Sequence, residues 1–168
     1  MKIISYPDKI LSQVSEPVGP ENIDTVRGIV DGMIAVLRKS RGIGLAAPQV
    51  GISKRIIVWT DKDREKFYVA INPEIVSSRG KIKTMESCLS LPSIRREVKR
   101  RRVIKVVALV VDARRVTFDL ANTDAVIVQH EIDHLNGITI MDDTKKRKKA
   151  ERDWNESSDS KRHIKSLT

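Results

Sequence analysis

The stretch Val126-Ile127-Val128-Gln129-His130-Glu131-Ile132-Asp133-His134-Leu135, followed by Asn136-Gly137, decides how this chain reads. Asn122 or Thr123 can cap its start and Asn136-Gly137 can end it, which predicts a helix. Helical positions i and i+4 share one face, so His130 and His134 can reach the same metal ion. Glu131, next to the first histidine, is close enough to act as base for water activated there. Val126, Ile127, His130 and His134 form one stripe, so the histidines continue an apolar face; a buried pair needs partners, and a metal provides them. The plain alternative is two polar residues on a solvated surface. β-Branched residues are mediocre helix formers, so this helix must hold through burial.

Two histidines do not complete a site. A structural zinc takes four protein ligands, whereas a catalytic metal takes three and keeps a position for water. The chain has three histidines and one cysteine, Cys88, in Met85-Glu86-Ser87-Cys88-Leu89-Ser90-Leu91-Pro92. Cys88 can be the third ligand or a buried apolar thiol, as most lone cysteines are.

Upstream, Val26, Ile29, Val30, Met33, Ile34 and Leu37 recur at helical spacing and predict an amphipathic helix over 22–41, with Asn22 or Asp24 as its cap. The small-residue segment Gly42–Gly51 follows, where backbone can approach a partner closely. Short β-branched runs predict strands at 55–60, 67–71, 74–76 and 82–84, and the long run 104–111 can pair with 116–120. The expected fold is α+β, antiparallel sheets wrapped around a central metal-binding helix, with an N-terminal amphipathic helix. Residues 1–141 are expected to form the catalytic domain and 142–168 a basic polar tail.

The 168-residue chain carries a net charge of +10, with 40% hydrophobic and 4% aromatic residues, so its core must be aliphatic. The charge suggests an anionic neighbour or simply a solvated surface. A single cysteine excludes an intramolecular disulfide framework and fits a reducing compartment. The N-terminus does not read as a secretory signal, and no run approaches ~20 apolar residues, so no membrane span is expected. A cytoplasmic monomer is the expectation.

Gly42-Ile43-Gly44-Leu45-Ala46-Ala47-Pro48-Gln49, Glu86-Ser87-Cys88-Leu89-Ser90 and Gln129-His130-Glu131-Ile132-Asp133-His134 resemble the three motifs of peptide deformylases, in family order and at similar spacing. The resemblance covers residues 3–141, including Tyr6-Pro7-Asp8 and Ile71-Asn72-Pro73. Zincin proteases share only the third motif. The resemblance implies a metal-dependent hydrolase that removes the formyl group from N-formylmethionyl nascent peptides. Cys88, His130 and His134 match the metal ligands and Glu131 the general base. Gln49, through its amide, and Leu89, through its backbone N–H, match the oxyanion stabilisers. Loss of one such donor costs roughly 3 kcal/mol of barrier. Ile43, Gly44, Val126 and Ile127 match positions around the methionine pocket, Arg95 an arginine near the bound peptide, and Glu86 a residue that orients its neighbours. Asp133 reads as solvated charge. The donor set suits Zn²⁺, Fe²⁺, Ni²⁺ or Co²⁺; the resemblance implies Fe²⁺ in the cell.

Two departures stand out. Ser87 occupies a position where the family has glycine, at a cost of about 1 kcal/mol if the backbone there has φ > 0. The C-terminal region is short and charged, where bacterial members continue into a longer helix associated with docking near the ribosomal exit tunnel. Basic residues 95–102 and 145–149 could contact rRNA phosphates instead. A bacterium, an organelle or a phage would all suit the chain as source. Two other readings are a zinc endopeptidase, which leaves the first two motifs unexplained, and a non-catalytic rRNA-binding module, supported only by Ser87.

Overall fold

Strand burial explains the layering. In the computed structural model, which describes residues 1–19, 23–142 and 144–156, every residue of β2 (Ile56–Thr60) is buried. Ile56 and Val58 face one apolar cluster, and Ile57 and Trp59 face another. A strand with both faces buried needs cover on both sides. The first cover is α1 (Ile23–Lys39), whose Val26, Val30, Met33 and Leu37 are buried at helical spacing. The second is α2 (Asn122–Leu135), which contributes Ala125, Ile127, Val128, Ile132 and Leu135. Full burial of each large aliphatic side chain stabilises the fold by about 1.5–3 kcal/mol.

Between the two helices lies a five-stranded antiparallel sheet in the order β1-β2-β3-β6-β7. Its other strands are β1 (Gly44–Ala46), β3 (Phe67–Arg79), β6 (Val103–Leu109) and β7 (Arg115–Ala121). A separate two-stranded hairpin, β4 (Ile82–Cys88) and β5 (Leu91–Arg100), lies apart from this sheet. Cys88, Leu91 and Val98 of the hairpin cluster with Ile140, just beyond α2. The α+β expectation, with its antiparallel sheets, central helix and N-terminal helix, is therefore met.

Several local expectations need correction. The runs at 67–71 and 74–76 are one bulged strand, β3: the register with β6 shifts between Ile71 and Glu74. Asn72 takes φ 51 there, and its amide exchanges two hydrogen bonds with the backbone of Val18, at 2.8 and 2.9 Å. β4 extends through Cys88 rather than stopping at Thr84, and β5 was read only as a charge run. Its alternation is hard to see because the inward position 100 is an arginine. Neither Asn122 nor Thr123 caps α2: the cap position is Ala121, with no side-chain bond. β7 runs directly into the helix, and the Asn122 N–H is taken by the Arg102 carbonyl at 2.8 Å. The proposed Asn22 cap of α1 lies outside the described residues.

The described part of the basic tail forms a helix, α3 (Thr144–Glu156). Its Arg147 donates to Asp133 and to the Thr139 carbonyl. Its Trp154 ring lies 3.6 Å from the Arg55 guanidinium. Among the described residues, no helix is long and apolar enough to cross a membrane.

Candidate metal centre

α2 sits between the sheet and the hairpin, so its histidine face meets the end of β4. Cys88 closes that strand at an irregularity in the β4–β5 register. Its Sγ lies 3.2 Å from His134 Nε2. Donor atoms from Cys88, His130 and His134 all lie within 4.8 Å of one another. The imidazoles are nearly perpendicular, at 74°, with centroids 5.0 Å apart. One thiolate and two imidazoles converging at this separation fit a divalent metal that keeps a position for water.

Glu86 orients the first imidazole. Its Oε2 lies 2.9 Å from His130 Nδ1, leaving Nε2 as the donor toward Cys88 and His134. Glu86 is in turn gripped at both oxygens by Arg100, with Nε–Oε1 and Nη2–Oε2 both at 2.8 Å. The third Arg100 nitrogen, Nη1, reaches Asp133 Oδ2 at 2.6 Å. Asp133 is therefore buried and paired, which corrects its reading as solvated charge: it lies on the face of α2 turned toward the hairpin and α3. Arg100 is likewise withdrawn from the basic run 95–102, and no interior arginine was anticipated there. Although burial alone would raise the Glu86 pKa, the Arg100 and His130 bonds hold it at about 2.

Glu131 is fully enclosed, and its Oε2 has no hydrogen-bond partner. Burial pushes its pKa up to about 7, against the opposing pull of His130 and Arg100. That value suits a group that takes and returns a proton near neutrality. Burial opposes a charged His130, but bonds to Cys88 and Glu86 outweigh it and raise its pKa; a cation held by the same imidazole would displace that proton. Burial and the neighbouring His130 push His134 well below the ordinary histidine value.

Gln49 approaches from the short 3₁₀ turn Ala47–Val50. Its Oε1 accepts the Ala46 N–H at 2.8 Å, which turns Nε2 toward Cys88 Sγ at 3.4 Å and Ser90 Oγ at 3.3 Å. Leu89 follows Cys88 and packs over Gly42: a Cβ at Gly42 would stand 2.6 Å from Leu89 Cδ1. At Gly44 a Cβ would collide with Glu131 Oε1 and approach Ile127 Cγ2 to 2.9 Å. The small residues of the first motif thus let β1 run directly against the Ile127 and Glu131 face of α2.

A cavity of about 460 Å³ opens beside these groups. Ile43, Gly44, Gln49, Cys88, Leu89, Val126, Ile127, His130 and Glu131 all line it. Its walls offer both a polar end and the apolar side chains of Ile43, Val126 and Ile127. Two predicted site residues do not line it: His134 lies behind Cys88, and Arg95, exposed on β5, is the cross-strand partner of Ser87. Ser87 does line the cavity and is not among the residues with positive φ, so the strain anticipated there does not arise. Sequence reasoning missed Arg100 and Ser90. Arg100 shares hairpin-face parity with Val98, a signal hidden by four exposed basic neighbours, Lys99, Arg101, Arg102 and Arg96.

The family model described as "Polypeptide deformylase" matches residues 1–150. A peptide deformylase of Thermodesulfovibrio yellowstonii is 39% identical over 145 residues, covering 84% of this chain and 87% of the relative. One from Acidobacterium capsulatum is 42% identical, with 83% of each chain covered. Among solved structures, the class I type b peptide deformylase of Acinetobacter baumannii matches with TM-score 0.79 and 34% identity, over 83% of this chain and 95% of that one. The enzyme of Vibrio parahaemolyticus bacteriophage VP16T, solved in complex with actinonin, matches with TM-score 0.78 and 35% identity, over 83% of this chain and all (100%) of that one.

Proposed function

The chain belongs to the peptide deformylase family, and on that premise we propose how its own residues carry the reaction. It is a metal-dependent hydrolase that removes the N-formyl group of nascent polypeptides and releases formate. The observation that carries this reading is one cleft holding a Cys88/His130/His134 donor set, the unpartnered Glu131 carboxylate and the Gln49 amide.

Cys88, His130 and His134 would hold the cation, which when bound supplies Lewis acidity to the attacking water and the formyl oxygen. Glu131 accepts the water proton as oxygen bonds to the formyl carbon. The Gln49 Nε2–H and the Leu89 N–H donate to the oxyanion that develops. Glu131 then delivers its proton to the departing amine as the C–N bond breaks, leaving formate and a free amino terminus. Ile43, Gly44, Val126 and Ile127 receive the methionine side chain and the adjoining backbone, and Arg95 lies beside Ser87 for the following residues of the peptide.

The mixed thiolate and imidazole donors suit Fe²⁺, Zn²⁺, Ni²⁺ or Co²⁺ alike, and the family resemblance carries our choice of Fe²⁺ as the cation in the cell. Residues 1–141 act as the catalytic domain of a cytoplasmic monomer, and 142–168 as a basic extension. Ribosome docking uses the exposed charges of both basic runs: Arg95, Arg96, Lys99, Arg101 and Arg102 on the hairpin side, and Lys145, Lys146, Lys148 and Lys149 on α3. A ribosome affinity unchanged between low and high salt would contradict that contact.

The test of function is formate release from a formyl-Met tripeptide by protein prepared without oxygen and loaded with Ni²⁺ or Fe²⁺. Turnover that disappears in Glu131→Ala while bound metal stays stoichiometric supports the assignment. Internal peptide cleavage without formate release would favour the endopeptidase reading, and the absence of any turnover the binding-module reading.

A further inference from the structure

We propose that Arg147 of α3 is a positioning residue for the metal ligand His130, acting through Asp133, Arg100 and Glu86. The proposal rests on the reading of Cys88, His130 and His134 as ligands.

The contacts form one unbroken line. Arg147 Nε lies 3.0 Å from Asp133 Oδ2, and its Nη2 donates to the Thr139 carbonyl at 2.8 Å. The same Oδ2 accepts Arg100 Nη1 at 2.6 Å. The other edge of Arg100 grips Glu86, and Glu86 Oε2 receives both Arg100 Nη2 at 2.8 Å and His130 Nδ1 at 2.9 Å. Glu86, Arg100 and Asp133 are 6%, 6% and 7% exposed, so water is poorly placed to replace a missing partner.

Arg100 stands between two carboxylates, and its position is a balance between them. Arg147 neutralises part of the Asp133 charge. Without it, Asp133 draws Arg100 more strongly, the grip on Glu86 loosens, and the His130 ring loses its fixed orientation. Glu86, one step behind the ligand His130, is the kind of partner that tunes metal affinity, and Arg147 acts on it from three contacts further out.

α3 is built to hold this contact. Lys145, Lys146, Lys148 and Lys149 are exposed, whereas Arg147 turns inward. Arg147 and Trp154 are seven residues apart and share a helix face. Trp154 anchors the far end over Arg55, away from the carboxylate line. That second anchor supplies an internal control: Trp154→Ala loosens α3 without touching Asp133.

The full chain and its Arg147→Met, Arg147→Lys and Trp154→Ala variants would be loaded with Zn²⁺. Release of Zn²⁺ to a chromogenic chelator would be timed, with kcat and KM measured alongside. Arg147→Met keeps the aliphatic packing and should release metal on the order of tenfold faster, with kcat lowered and KM unchanged. Arg147→Lys should recover most of the loss, and Trp154→Ala should release metal at the wild-type rate. Equal acceleration by Arg147→Met and Trp154→Ala would overturn the proposal, because docking of α3 alone would then suffice; wild-type release from Arg147→Met would overturn it too. Should Arg147→Met not fold, Arg147→Gln, which can still donate to Thr139, is read against the same outcomes. A wild-type protein that takes up no Zn²⁺ would overturn the metal-centre reading and the proposal with it, a result distinguishable from tight binding by every variant.

Discussion

The two polar faces of α2 are built on opposite terms. Toward the cleft, Glu131 Oε2 is buried without a hydrogen-bond partner. Toward the hairpin and α3, Asp133 is held by two arginines, and Gln129 bonds the Arg101 N–H and carbonyl and the Ala125 carbonyl. Helix positions 129, 131 and 133 thus divide into groups saturated by the protein and a group left open for something else. Buried polar groups ordinarily pair, so the open ones mark the chemistry and the saturated ones the scaffold.

If that division is right, substitutions on the open face should reduce turnover and leave the fold standing, whereas those on the saturated face should lower stability and reach turnover only through the orientation of His130. The largest effect is expected at Glu131. Glu131→Gln should lower kcat/KM by roughly 10³-fold or more. Its folded pKa, about 7, lies above the ordinary carboxylate value. Ionised Glu131 therefore opposes folding as pH rises through that interval, and chelator-treated Glu131→Gln should melt higher than wild type at pH 8. A loss of both turnover and melting temperature would break the comparison.

Asp133→Ala is the opposite case. It leaves Arg100 and Arg147 facing each other without their shared carboxylate, and removing one partner of a buried pair costs about 3–5 kcal/mol. Urea unfolding should show this loss; a midpoint unchanged from wild type would refute the scaffold assignment.

Glu86 should make the saturated face acid-sensitive. Its folded pKa of about 2 lies below its ordinary value. The stability it contributes is fully present above the ordinary carboxylate pKa and is lost as pH falls toward 2. A depression of this size corresponds to roughly 3 kcal/mol. Melting curves between pH 5 and 2 should be flatter in Glu86→Gln than in wild type.

The smallest effect is expected at Ser87. With no positive φ to relieve, Ser87→Gly should change melting by less than about 1 kcal/mol and kcat/KM only a few-fold. A large gain in activity would mean that the hydroxymethyl group obstructs the cleft.

Much of the catalytic face was legible because its signals are local. The i, i+4 histidines, the glutamate between them and the glycines of the first motif each state their requirement within a few residues. The scaffold face was not. Asp133 looked solvated because its partners come from residues 100 and 147, and nothing within α2 announces them. Arg100 looked like one more charge in a basic run, since a cation on the inward side of a strand breaks the apolar alternation by which strands are read. β5 was missed for the same reason. The C-terminal region reads only as a basic polar tail because the anchors of its described helix, Arg147 and Trp154, become informative only with Asp133 and Arg55 in place.

Periodicity and residue chemistry are properties of neighbours along the chain, and they sufficed for the helix of the histidine pair, the aliphatic core and the three motifs whose residues meet in the cleft. Which charges are interior, that Ser87 is unstrained and that α3 reaches Asp133 emerge only once the chain is packed. Those outcomes depend on desolvation and on partners tens of residues away, and a buried charge reveals itself only through the group that neutralises it.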